Sequence, residues 1–153
     1  MIYHTDLKLG QEIEILKEFL ENEARRKQGK LSWDCFVDTE VDTELVIPRS
    51  LIQSFAEKAI SCGLIQNEEE GRIEISVYKT EVGVLAMVTD NCIVNSETPS
   101  VNHHQKEKLL GLDKYLKLFN ARNPHSIYYS MLGRSQGYIG ASGSRVLISI
   151  QHQ

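Results

Sequence analysis

Two short polar stretches of the sequence carry the residues best able to do chemistry. Glu57 and Lys58 are neighbours inside a segment of apolar periodicity, and Asp90-Asn91 follows an apolar run that begins at Val84. A carboxylate in a partly dry pocket is a specific acceptor, because a wrong partner leaves it unpaired. A lysine ammonium carries positive charge but has no oxygen to offer a metal ion. The sequence shows neither a nucleophilic triad nor a pair of catalytic acids.

The composition is that of one ordinary globular domain. Of the 153 residues, 41% are hydrophobic and 25% are charged, which allows a sizeable core and argues against disorder. The net charge of −4 argues against nucleic acid as a partner, and the nearest basic cluster, Arg25-Arg26-Lys27, follows Glu21 and Glu23 as at a solvated helix end. Three widely spaced cysteines fit a reducing compartment, and no segment approaches the roughly 18 apolar residues of a membrane span. We therefore expect the chain to be cytoplasmic.

Helical periodicity predicts three helices. The first runs from about Lys8 to Gln28, with Gly29 as its stop signal. The second is predicted to open at Pro48, a favoured first-turn residue, and to close at Gly63. The third has an apolar face formed by Leu109, Leu112, Leu116 and Phe119.

Alternating residues predict about five strands. Gly83 lies between two of them and predicts a hairpin, and the apolar run from Val84 to Val88 predicts a buried central strand. In the order α-β-α-β-β-α-β-β, most strands directly precede or follow another strand in the sequence, with no helix between them. That order predicts a mixed sheet with about three helices packed on one face, a two-layer α/β sandwich. We expect residues 1–153 to form a single domain.

The order of these elements and several short strings resemble the histidine-kinase-like ATPase fold of sensor kinases and gyrase-type ATPases. Ile47–Leu64 is similar to the family helix that ends in Glu-Asn-Ala-Ile-Lys-His-Gly, and Val88–Cys92 to the strand that ends in Asp-Asn-Gly. The nearest likeness is to sensor kinases that partner LytTR-type response regulators. The other strings that carry it are Leu9–Leu20, Leu110–Leu112 and Gly143–Ile150. The resemblance implies an ATP-binding domain excised from a larger, membrane-anchored sensor.

Asp90 and Asn91 are, by this resemblance, the adenine-side residues. In the family the aspartate accepts a hydrogen bond from the adenine amino group. The alternative is that Asp90-Asn91 only forms a turn after a strand. Cys92 stands where the family has a glycine, whose missing side chain lets the backbone approach the base.

Glu57 and Lys58 are the phosphate-side residues that the resemblance implies. Glu57 matches a family glutamate that positions or activates a group near the γ-phosphate, and is our candidate catalytic residue. Lys58 replaces the asparagine that holds Mg²⁺, so we expect Lys58 to contact phosphate rather than a metal ion. The alternative is a plain Glu-Lys pair on an exposed helix face.

Gly111 and Leu112 match the tail of the family's glycine-rich phosphate loop. Such a loop offers backbone N–H groups to an anion at a helix N-terminus. Only Gly111 remains of the three family glycines, and Glu107 would repel phosphate. The stretch from Val94 to Lys106 would form the lid over the nucleotide.

His125 follows Asn123-Pro124, as the family's phosphoacceptor histidine follows an Asn-Pro pair. The family string, however, lies upstream on a dimerisation helix, whereas this one follows the last helix. We therefore interpret His125 as a turn residue.

Two hypotheses for function follow from the resemblance. The first is the ATP-binding and catalytic domain of a two-component sensor histidine kinase, which transfers phosphate from ATP to a histidine. Its partners would be a response regulator and its own dimerisation and phosphoacceptor segment. The second is an inactive pseudokinase that acts by protein–protein contact, including dimerisation through the first helix. A serine-kinase or anti-sigma-like domain on the same fold is a third, weaker alternative.

Overall fold

The computed structural model describes residues 6–61, 71–91, 103–133 and 144–152. Within these ranges the chain forms seven strands and three helices. In chain order they are β1 Asp6–Lys8, α1 Leu9–Arg26, β2 Leu31–Val37, β3 Val46–Pro48, α2 Leu51–Ala59, β4 Gly71–Thr80, β5 Gly83–Asp90, α3 His103–Arg122, β6 His125–Gly133 and β7 Ser144–His152.

Five of the strands form one mixed sheet, in the order β2-β4-β5-β7-β6. β2 pairs with β4 in parallel, with Leu31 opposite Gly71, and the other pairings are antiparallel. β5 lies in the middle, as its apolar run predicted. β1 and β3 form a separate antiparallel pair, which the sequence analysis did not predict.

The three helices pack on one face of this sheet, so the predicted two-layer α/β sandwich is confirmed. α1 lies over β2, α2 over β5 and α3 over β6. Alternate residues of each strand point into the core between the layers, because side chains alternate across a strand. The most deeply buried of them, with their helical partners, are Leu16, Leu20, Leu51, Ile52, Phe55, Ile73, Ile75, Val77, Ala86, Ile148 and Ile150. The other face is more open, and the rings of Phe36 and Tyr78 lie on it with centroids 5.5 Å apart.

α1 begins and ends within two residues of its predicted bounds. Its first free N–H groups are satisfied by the turn before β3: Leu9 N donates to Leu45 O at 2.7 Å, and Gly10 N to Thr43 O at 2.9 Å. After Arg26 the chain turns through a left-handed Gln28 and Gly29, with φ of 54° and 84°. Gly29 therefore lies at the predicted stop, since left-handed geometry is easiest for glycine.

The predicted start of the second helix at Pro48 is wrong. Pro48 is the last residue of β3 and lies opposite Asp6 of β1. A proline tolerates such an edge position, because its missing N–H removes no bond from a larger sheet. Ser50 then adopts left-handed geometry at φ 65°, and α2 begins at Leu51. The predicted end at Gly63 lies outside the described residues.

The predicted hairpin between β4 and β5 is confirmed, and it requires a glycine. Gly83 lies opposite Thr80 in the ladder and has φ +153°. A Cβ at position 83 would lie 1.9 Å from the carbonyl oxygen of Ile150. No side chain fits there, since the β7 backbone passes too close.

The edge strand β6 is closed at one point by a side chain of α3. Asn120 Oδ1 accepts a hydrogen bond from Ile127 N at 2.7 Å, and Asn120 Nδ2 donates to Ile127 O at 3.0 Å. Both backbone groups of Ile127 therefore point away from β7, and the amide of Asn120 pairs with them as a neighbouring strand would. A closed edge offers no template there for another strand.

Across the described parts of the chain, the helices are too short or too polar to cross a lipid bilayer.

Candidate functional site

Asp90 is a buried carboxylate at the end of the central strand. It is the last residue of β5 and lies opposite Ser144 of β7, on the core side of the sheet. Only 6% of its surface is exposed, and Ser144 Oγ donates to Asp90 Oδ2 at 2.6 Å. A buried carboxylate needs such partners, because desolvating a charge is costly. Asp90 therefore offers a charged acceptor fixed from two strands.

Asn91 ties the chain after β5 to β4. Its backbone N donates to Arg72 O at 3.2 Å, and its side-chain Oδ1 accepts from Arg72 N at 2.7 Å. The side-chain oxygen extends the ladder by one bond, so Asn91 has a structural role here. Asn91 thus fixes the backbone while Asp90 is buried on the core side, and the adenine-side role of both residues stays a prediction. Cys92 lies outside the described residues.

Glu57 and Lys58 are half-buried on α2, the helix that packs on β5. Glu57 Oε1 accepts a hydrogen bond from Gln53 Nε2, one turn earlier, at 3.0 Å. The Glu57 backbone carbonyl accepts a hydrogen bond from the hydroxyl of Ser61 at 2.9 Å. The Glu57 side chain is therefore hydrogen-bonded within its own helix, and its catalytic role stays a prediction.

Glu12 was missed by the sequence analysis, although it is the most buried charged residue described. It lies on α1 with 1% of its surface exposed, between the core residues Leu9 and Leu16. Its carboxylate accepts three backbone N–H bonds from the start of α2. Burial raises the pKa of Glu12, against the opposing effect of those N–H groups and of Arg49. Its local pattern gave no signal, because its partners lie 38 to 41 residues further on.

His125 is the first residue of β6, which corrects its interpretation as a turn residue. Its Nε2 lies 2.9 Å from Val46 O, and its ring centroid is 5.9 Å from that of Phe119. Since a carbonyl only accepts, Nε2 carries the hydrogen and donates. His125 therefore links β6 to β3.

An open groove of about 520 Å³ lies beside the start of α1 and the turn that precedes β3. Its lining includes Gly10, Ile15 and Thr43, and contains none of the predicted nucleotide-site residues. Among the described residues no group of three or more histidine, cysteine, aspartate or glutamate side chains could hold a metal ion.

Solved structures match this chain over its whole length, although no family model and no curated protein matches its sequence. The catalytic domain of the histidine kinase ThkA is 18% identical over 99% of this chain and 97% of that one, with a TM-score of 0.54. The mycobacterial sensor histidine kinase MprB is 12% identical over 98% and 97%, with a TM-score of 0.53. Full-length ShkA in complex with AMPPNP is 10% identical over 100% of this chain and 32% of that one, with a TM-score of 0.58. The chain has the fold of a histidine kinase catalytic domain.

The side chains predicted for a nucleotide site differ in what they can offer a ligand. Asp90 supplies a fixed, buried acceptor of the kind that a base amino group needs. Lys58 supplies only donors, so it cannot replace an oxygen ligand of Mg²⁺.

Gly111 does not lie in a phosphate loop, whereas Leu112 lies in the third helix as its apolar spacing predicted. α3 already begins at His103, so both residues lie well inside the helix. Gly111 is exposed and Leu112 is a core residue. Inside a helix each backbone N–H bonds to a carbonyl of the preceding turn, so it is not free for phosphate. The good helix formers around one remaining glycine explain the difference. Most of the predicted lid, from Val94 to Lys106, lies outside the described residues.

Proposed function

We propose that this chain is the ATP-binding domain of a two-component sensor histidine kinase. It binds ATP in the cytoplasm and presents the γ-phosphate to a histidine on a separate dimerisation and phosphoacceptor segment. The terminal phosphoryl group moves from ATP to that imidazole, and ADP leaves. A response regulator then receives the phosphate. The likeness of fold over the whole chain supports the proposal, as does the ShkA complex with AMPPNP.

The observation that carries the proposal is the buried carboxylate of Asp90 at the end of β5. A carboxylate with 6% exposure is expensive to retain for stability alone. An adenine amino group would donate to the Asp90 carboxylate in addition to the hydroxyl of Ser144. Binding specificity follows, because a base without that amino group would leave the acceptor unpaired.

On the phosphate side, Glu57 is the proposed catalytic carboxylate and Lys58 the proposed phosphate contact. Phosphoryl transfer depends mainly on positioning and on neutralising charge, for which kinases ordinarily use Mg²⁺. Here Lys58 would neutralise charge directly, so we expect ATP binding to depend little on Mg²⁺.

A second candidate function is a pseudokinase that acts by protein–protein contact. Two observations favour it. The segment with Gly111 is helical, which leaves no glycine-rich loop there for phosphate, and Lys58 is no metal ligand. Both changes lower the expected rate of transfer, while the fold and Asp90 remain.

A fluorescent ATP analogue, titrated with and without Mg²⁺, separates the two candidates. Micromolar binding supports an ATP-binding domain, and no binding at millimolar nucleotide supports the pseudokinase. D90N should weaken binding about tenfold or more, because a charged hydrogen bond is lost. E81Q is the control, since it removes a negative charge from an exposed residue of the β4–β5 turn, at the other end of β5 from Asp90. Equal affinities for D90N and E81Q would refute the role of Asp90.

A further inference from the structure

Two hydrogen bonds of Gln53, one from its backbone and one from its side chain, form a chain that links the buried Glu12 of α1 to Glu57 of α2. Glu12 Oε2 accepts from the backbone N of Gln53 at 3.3 Å, and Gln53 Nε2 donates to Glu57 Oε1 at 3.0 Å. Gln53 is thus held at both ends, by its backbone on one side and by its side chain on the other. The orientation of the Glu57 carboxylate is linked in this way to a residue of another helix.

The Glu12 end of this chain is fixed by the whole first turn of α2. Glu12 Oε1 accepts from Ser50 N at 2.9 Å, and Glu12 Oε2 also accepts from Ile52 N at 3.1 Å. Ser50 is left-handed and provides no side-chain cap of its own. Glu12 therefore caps α2 from α1, at the helix end where the dipole favours an anion.

Position 12 holds a carboxylate although its neighbours on the buried face of α1 are leucine and isoleucine. An apolar residue there would leave three backbone N–H groups of α2 without their acceptor. A carboxylate has a use that an apolar residue lacks, because its two oxygens can fix three N–H groups in one arrangement.

We propose that Glu12 and Gln53 are positioning residues for Glu57, through the chain Glu12–Gln53–Glu57. The inference rests on the proposed function, in which Glu57 is the catalytic carboxylate. Glu12 sets the position of the first turn of α2, and Gln53 transmits that position to the carboxylate one turn later. In this proposal both residues act through Glu57 and not by contact with the nucleotide.

Three variants test the chain. Q53M has a side chain of similar length without the donor, and it leaves the backbone bond to Glu12 intact. E12Q keeps the shape of Glu12 but turns an amide donor towards at least one N–H group of α2. S54A is the matched control on the same turn of α2, where the Ser54 hydroxyl bonds to Ser50 O and lies outside the chain.

The first measurement needs no activity. The side-chain carboxyl carbon of Glu57 is followed by NMR in the full chain, with uniform ¹³C labelling. Its resonance should move in Q53M and in E12Q, and should stay in S54A. If it stays in Q53M, the chain does not hold Glu57 and the proposal is overturned. Should E12Q not fold, Q53M still decides whether Gln53 holds Glu57, because it leaves the Glu12 cap in place, and E12D then tests Glu12 with a carboxylate one methylene shorter.

The second measurement compares the rate of ATP hydrolysis, in which water accepts the phosphoryl group in place of the separate histidine, with the affinity for the ATP analogue. Losing one hydrogen bond to a charged group should lower kcat about tenfold in Q53M, with the affinity for the ATP analogue unchanged. Equal kcat values for Q53M and the wild-type chain would overturn positioning. A wild-type chain that neither binds nor hydrolyses ATP would refute the proposed function instead, and the NMR measurement would then decide whether Glu57 is held through Gln53.

Discussion

Replacing Asn120 with alanine should open the edge of the sheet at β6 and destabilise the protein by about 2 kcal/mol. The change removes two hydrogen bonds to the backbone of Ile127, with lengths of 2.7 and 3.0 Å. Each is worth about 1 kcal/mol net, and buried groups left unpaired cost more. Ile127 is only 1% exposed, so water replaces the lost partners poorly. The higher helix propensity of alanine offsets about 0.5 kcal/mol of this loss in the free energy of unfolding.

Urea unfolding at constant pH measures this loss, followed by circular dichroism and fluorescence together to test for two-state behaviour. The midpoint should fall without a change of slope, and the melting temperature should drop by roughly 4–8 °C for a domain of this size. K117A, at an exposed position of the same helix, should lie within about 0.5 kcal/mol of the wild type.

A second variant, N120D, distinguishes the two bonds. Aspartate keeps an acceptor for Ile127 N, but it turns an oxygen towards Ile127 O, so N120D should be no more stable than N120A. If N120A unfolded at the same urea concentration as K117A, the amide of Asn120 would not close the edge.

Two further outcomes are expected. G83A should cost more than about 3 kcal/mol, measured by urea unfolding, because its Cβ would lie 1.9 Å from Ile150 O at φ +153°; a loss under about 1 kcal/mol would contradict this geometry. Burial and a hydrogen bond to Asp6 raise the pKa of Tyr115 from 10.0 to about 12, so its contribution to stability is complete below pH 10 and is lost as pH rises through 12. In Y115F the free energy of unfolding should therefore fall less between pH 10 and 12 than in the wild type. An equal fall in both proteins would contradict the raised pKa of Tyr115.

The elements set by local pattern could be predicted from the sequence. The apolar stripe of α1, with Leu9, Leu16 and Leu20, faces one core and repeats at the spacing of a helix. The β4–β5 hairpin was predicted from Gly83, because the turn requires a residue without a side chain.

The features that the sequence did not reveal depend on residues far apart in the chain. Pro48 was predicted to begin a helix, because no local sequence pattern shows that it pairs with Asp6. Glu12 looked like one of the polar residues of an amphipathic helix, since nothing nearby shows that it will cap another helix. Gly111 was assigned to a loop because of the family resemblance. The good helix formers around it place it in a helix instead.

The parallel pairing of β2 with β4 bears on the order in which the molecule folds. It joins Leu31 to Gly71 across the segment that contains α2, whereas the β4–β5 and β6–β7 pairs join neighbouring strands. Closing a long loop costs more entropy than closing a hairpin, so β2 should join the sheet late. The helix with Glu57 reaches its final place only when that loop closes. Refolding followed by pulsed hydrogen exchange should therefore show β4 and β5 protected before β2.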